Sequence, residues 1–194
     1  MTRALLLSLA IFCTCCRPAR VEIPVRPRYY CSYPHLPMRV SITPYLAWQI
    51  PAYDQAFAFW ASAIGADVFD WGPVGLESDV IIAAGPRDPA RPNVVATTHR
   101  SSLVGTCKAI VLIRSTMDDD EAFMFGAHEL GHVLGVGHSN DPDSVMLPEL
   151  DKARRAPYIA TALDVAAAKQ ALGLGPDEKD DGRQHGGYDD EAQK

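Results

Sequence analysis

Three histidines and one glutamate fall within the eleven positions of HELGHVLGVGH, residues 128–138. His128 and His132 are four apart, so on a helix they differ by about 40° around the axis and about 6 Å along it, which stacks both imidazoles on one face. His138 lies six residues further on, about 240° round the same helix if it continued, facing away from the pair. It joins them only if the helix ends and the chain turns back. Gly135 stands where that must happen, and glycine accepts the left-handed backbone that ends helices. The spacing fits a three-histidine metal site and makes little sense as a helix face. Three neutral imidazoles suit a zinc ion with its fourth position open to water, as in catalytic sites, where the metal brings the pKa of that water towards about 7. Glu129 is turned about 100° from His128 and can lean towards the water without binding the metal, the place for a general base. One histidine alone would read better as a solvated or core residue. For the whole set a chance match is on the order of one in a hundred thousand.

These residues need a helix that ends at Gly135. The run from Asp119, DDEAFMFGAHELGHVLGV, places Phe123, Ala127, Leu130 and Leu134 at helical spacing and puts acids in its first turn, where the helix dipole favours them. The histidine stretch is its second half. Upstream, PAYDQAFAFWASAIGA sets Tyr53, Ala56, Phe57, Trp60, Ala61 and Ile64 on one face, with Pro51 at the start and Gly65 at the end, an amphipathic helix with an aromatic core stripe. Strands are predicted at 38–42 (MRVSI), 67–71, 78–84 and 107–113, with a weaker one at 93–98. A last helix spans 160–173 and ends at Gly173.

The chain has 194 residues, 47% hydrophobic and 22% charged, enough for one domain with a sizeable core. Its formal charge is −6, and residues 175–194 carry seven acids against three bases, so most of that charge sits in an acidic tail expected to be disordered. No basic face argues for nucleic acid or an anionic membrane. Residues 1–16 have one Arg, a short apolar run and then small residues, the layout of a secretory signal. Lipid attachment at Cys13, Cys15 or Cys16 is the alternative to a signal that merely contains cysteine. Residues 17–37, with five prolines and four arginines, read as an extended leader into a catalytic domain at 38–174. Cys31 and Cys107 remain, either as a disulfide in an oxidising compartment or as two unpaired thiols.

HELGHVLGVGHSNDPDSVMLP, residues 128–148, resembles the matrixin branch of the metzincin metallopeptidases. Ser139 follows the third histidine, and DPDSVMLP looks like the branch's Met-turn, with Met146 as a packing floor beneath the metal. Weaker similarity covers about residues 38–173. The resemblance implies an α+β, zincin-like catalytic domain: a twisted, mostly parallel sheet packed on an active-site helix and a second helix, with a C-terminal helix after the Met-turn. In that last helix Asp164 matches an aspartate that bonds the Met-turn backbone. The implied activity is that of a secreted, monomeric zinc endopeptidase acting on proteins or peptides, with His128, His132 and His138 on zinc, Glu129 as base, and Gly135, Met146 and Asp164 supporting the site. Contact with a membrane is implied only through a lipid anchor.

The departures from the family are informative. The region that holds a second zinc and calcium in better-known members is short here, and His99, its one histidine, reads as an ordinary surface or edge-strand residue. Asp118, Asp119, Asp120 and Glu121 fit either calcium ligation or the first turn of a helix, and the helix reading is preferred. CSYP, residues 31–34, keeps the Cys and Pro spacing of the family's inhibitory propeptide but lacks its Arg and Gly. Pro148-Glu149-Leu150 replaces the family's Pro-x-Tyr pocket wall, so no side-chain preference carries over. The rival readings are a non-catalytic zinc-binding module, against which Glu129 argues, and a self-processing or highly selective peptidase.

Overall fold

The computed structural model describes residues 33, 35–75, 77–85, 95–103, 106–151, 153 and 157–174. The signal-like residues 1–16, most of the stretch expected to be a leader, Cys31, Ser32 and Pro34 of the CSYP segment, and the acidic tail lie outside them. Among the described residues, five strands form one sheet in the order β2-β1-β3-β5-β4: β1 (Met38–Ile42), β2 (Phe69–Trp71), β3 (Val80–Ala84), β4 (Ala96–Leu103) and β5 (Thr106–Ile113). β1 runs parallel to β2 and β3, and β3 parallel to β5, while β4 is antiparallel to β5 and occupies an edge. The sheet is thus mostly parallel, and with its three helices the domain is α+β, as the resemblance implies.

Alternation within the strands explains where the core lies. Met38, Val40, Ile42, Val80, Ile82, Ala109, Val111 and Ile113 are buried and point to one face. On them pack α1 (Ile50–Ile64) and α2 (Asp119–Val133). A 3-10 turn, Pro44–Gln49, leads into α1, which stops at Gly65 with φ +83°. Its Tyr53, Ala56, Phe57, Trp60 and Ile64 are buried, so the aromatic stripe is core. α2 opens on a reciprocal cap: Asp118 accepts from the Glu121 amide at 2.8 Å, and Glu121 accepts from the Asp118 amide at 3.2 Å. α3 (Ala162–Ala171) repeats the device with Thr161 and Asp164, and Gly173 follows at φ +70°.

Several boundaries differ from the sequence expectation; β3 begins at Val80 rather than residue 78, and β5 at Thr106 rather than residue 107. β2 begins at Phe69 rather than residue 67, although the Val68 carbonyl already accepts from the Met38 amide. α3 begins at Ala162 because Thr161 is its cap. β4 runs on to Leu103, well past the 93–98 segment, because an edge strand buries one face and its polar half, HRSS, carries no apolar signal.

At the outer end of the sheet, buried Asp79 accepts from the Arg39 amide at 2.8 Å and stands near Lys108 Nζ (3.5 Å) and His35 Nε2 (3.3 Å). It thereby ties β1, β5 and the segment entering β1 together. Tyr33 lies under the Arg100 guanidinium. Cys107, fully buried in β5, is disulfide-bonded to a cysteine outside the described residues.

Candidate metal centre

α2 carries His128, Glu129 and His132 in its last two turns, then ends in a Schellman motif. Gly135, at φ +92°, donates to the His132 carbonyl at 3.0 Å, and Val136 donates to the Gly131 carbonyl at 2.8 Å. This reversal brings His138 back over the helix. The three ring centroids lie 4.7, 5.4 and 4.8 Å apart, and the ligand atoms all fall within 4.8 Å of one another.

Backbone carbonyls set the tautomers of the first two rings. His128 Nδ1 is 2.8 Å from the Val145 oxygen, and His132 Nδ1 is 2.9 Å from the Val136 oxygen. A carbonyl only accepts, so each Nδ1 carries the proton and each Nε2 presents its lone pair. His132 Nε2 and His138 Nε2 are 3.2 Å apart. Two nitrogens at about 2.0–2.1 Å on a tetrahedral ion would stand roughly 3.3 Å apart, so the set fits zinc. Burial, aided by neighbouring His132, pushes His128 down to about 4, which keeps its imidazole neutral and able to ligate at neutral pH.

Glu129 is 4% exposed. Burial pushes its carboxyl up to about 7, with the Thr98 hydroxyl pulling the other way. Thr98, on β4, has its Oγ1 at 2.5 Å from Glu129 Oε2 and 3.1 Å from the Glu129 carbonyl oxygen.

The loop after His138 is laced beneath the site. Ser139 donates to the Met146 carbonyl at 2.8 Å. Met146 is fully buried, its sulfur against the spot where a Cβ on Gly131 would stand. Asp164 does not reach the Met-turn backbone directly, as the resemblance would have it. Its Oδ2 accepts from Ser144 Oγ (2.7 Å), Thr161 N (2.9 Å) and Thr161 Oγ1 (2.9 Å), and Ser144 Oγ in turn accepts from the Met146 amide (2.8 Å). The serine relays the tie because its short side chain fits between the turn and α3. Val145, whose carbonyl holds His128, donates its own amide to Ile159 at 2.8 Å.

The remaining sequence candidates sit elsewhere. His99 is exposed on β4, opposite Ile110. The Asp118 and Glu121 carboxylates serve the α2 cap. Thr98, Ser144, Gly131 and Trp60 escaped the sequence reading as site residues. The indole of Trp60 donates to the Ala127 carbonyl at 2.8 Å and braces α2 one residue before the first histidine. A glycine inside a helix and a bulky indole in a core stripe were the available signals; nothing local marked Thr98 or Ser144.

Residues 92–173, from the edge strand through the histidine helix and the turn below it to α3, match the family model for matrixin, and the mixed sheet is consistent with that likeness. Over 31 residues the chain is 52% identical to matrix metalloproteinase-16 of Homo sapiens and to that of Rattus norvegicus. That stretch is 16% of this chain and spans 5% of the length of those relatives.

Proposed function

We propose that this chain is an exported zinc metalloendopeptidase that hydrolyses peptide bonds in proteins or peptides. The observation that carries the reading is the convergence of three imidazoles on one point, two of them tautomer-fixed, with buried Glu129 beside the first. A purely structural zinc site takes four protein ligands and has no use for an adjacent buried carboxylate.

His128, His132 and His138 would hold the ion. Zinc, when bound, supplies a Lewis acid that polarises a carbonyl and acidifies water. Glu129 acts as the base: with Oε2 engaged by Thr98, Oε1 takes the proton of the attacking water and returns it to the leaving amine. β4 offers the substrate an edge strand next to Glu129, where an extended peptide can add through main-chain hydrogen bonds without regard to its sequence. Export is supported by the signal-like residues 1–16 and by the disulfide at Cys107, which belongs to an oxidising compartment. The domain is taken to span residues 38–174 and to work as a monomer. No helix among the described residues is long and apolar enough to cross a membrane.

The test is casein cleavage by the purified zinc-loaded protein beside its Glu129→Ala variant. Cleavage by the wild type alone, with equal zinc in both, supports the reading. Equal cleavage by both would remove Glu129 from the mechanism. Silence from both, with zinc bound, would favour a non-catalytic zinc module.

A further inference from the structure

The β4 edge and Glu129 meet in a single residue. The Arg114 amide donates to the Val95 carbonyl at 2.9 Å, which makes Val95 and Arg114 a hydrogen-bonded pair of the antiparallel ladder. The register then alternates along the strand. Thr97 opposite Leu112 and His99 opposite Ile110 exchange bonds with β5, whereas Ala96, Thr98 and Arg100, opposite Ile113, Val111 and Ala109, do not. The main-chain N–H and C=O of Thr98 therefore point away from β5, towards the edge of the sheet that the described residues build. Its side chain shares the face of buried Val111 and turns towards α2, where the hydroxyl meets Glu129 Oε2.

We propose that Thr98 is a positioning residue that couples peptide docking on the β4 edge to Glu129, pairing with substrate through its main chain and holding the carboxylate through its hydroxyl. This rests on the peptidase reading above. A hydroxyl has one proton, and Oε2 is its nearer acceptor, so the contact fixes the carboxylate rotamer and leaves Oε1 for proton transfer. A peptide that pairs with Thr98 fixes that residue's backbone dihedrals and with them the hydroxyl. One too short to pair leaves the contact less well held. Binding energy from residues remote from the scissile bond is in this way spent on kcat as well as KM.

Kinetics of the zinc-loaded wild type, Thr98→Val and Thr98→Ser on fluorogenic peptides of increasing length test this. Valine keeps the branched shape but removes the donor. Its kcat should fall about tenfold to a hundredfold, the loss of one hydrogen bond to a charged group, while KM stays within about twofold. The gain of kcat with peptide length should vanish in the same variant. Serine should restore most of both, with zinc content of the folded protein unchanged throughout. A Thr98→Val enzyme with wild-type kcat, or a serine variant no better than valine, overturns the proposal. A second measurement separates it from the peptidase reading: amide NMR of the zinc-loaded Glu129→Ala protein with added peptide should shift the Thr98 amide. If the wild type cleaves nothing, the peptidase reading fails. If the Thr98 amide does not move, the docking proposal fails, whatever the kinetics.

Discussion

Gly131 stands between His128 and His132, and only a hydrogen fits on the side it presents to the Met-turn. A Cβ there would meet the Met146 sulfur, and Trp60 Cζ2 at 2.8 Å, both belonging to fully buried side chains. Gly131→Ala should gain helix propensity yet lose about 1–3 kcal/mol of stability by overpacking, and a lowered unfolding midpoint measures it. An unchanged or raised midpoint would mean that Met146 yields. At this scale the convergence of the three histidines was legible because metal geometry would dictate both type and spacing: histidines four apart, a glycine, then a third histidine. The supporting side chains were not, since Thr98 and Ser144 act across 31 and 20 residues of sequence and their contacts exist only after folding. Gly131 was half legible: an interior helical glycine costs about 1 kcal/mol against alanine and so asks for a packing reason.

Between elements, two ties hold the histidine helix in register with its surroundings. The Trp60 indole joins α1 to α2 at the Ala127 carbonyl. Trp60→Phe should remove that bond and some buried area, costing roughly 1–3 kcal/mol in denaturant midpoint, with the zinc content of the folded protein unchanged. The second tie is Asp164 Oδ2, which gathers Ser144 and Thr161 onto α3. Asp164→Ala should strand buried donors, lower stability by about 1–3 kcal/mol, and weaken zinc about ten- to a hundredfold, the usual cost of losing an outer contact to a ligand's support. A competition titration with a chromophoric chelator checks the affinity, and wild-type affinity would detach α3 from the site. Helices and buried strands were read from periodicity because tertiary burial imposes it. The edge strand β4 was caught only in part because its residues from Ala96 to Ser101 are at most half-buried, His99 and Ser101 being exposed, so the pattern that marks a buried strand is absent.

Across the molecule, a sheet held at its outer end by buried Asp79 and the Cys107 disulfide supports a site built from three separate pieces of chain. Zinc that binds only the assembled site must stabilise the fold by mass action. Adding a chelator to the holoprotein should therefore lower its unfolding midpoint by several degrees, about what 1–3 kcal/mol does in a domain of this size, and zinc in excess should restore it. A midpoint indifferent to chelator would place the histidines outside the cooperative unit.

The lacing beneath the metal also has a consequence in time. His128 and His132 are made early, yet the carbonyl that orients His128 belongs to Val145, whose amide is held by Ile159. The turn around it is in turn anchored by Asp164. A ribosome that has just finished the histidine motif has produced ligands without a frame to aim them. The proposed hydrolytic centre would be framed only once the chain is complete through α3, so an unfinished copy carries the histidine motif without the ties that aim it.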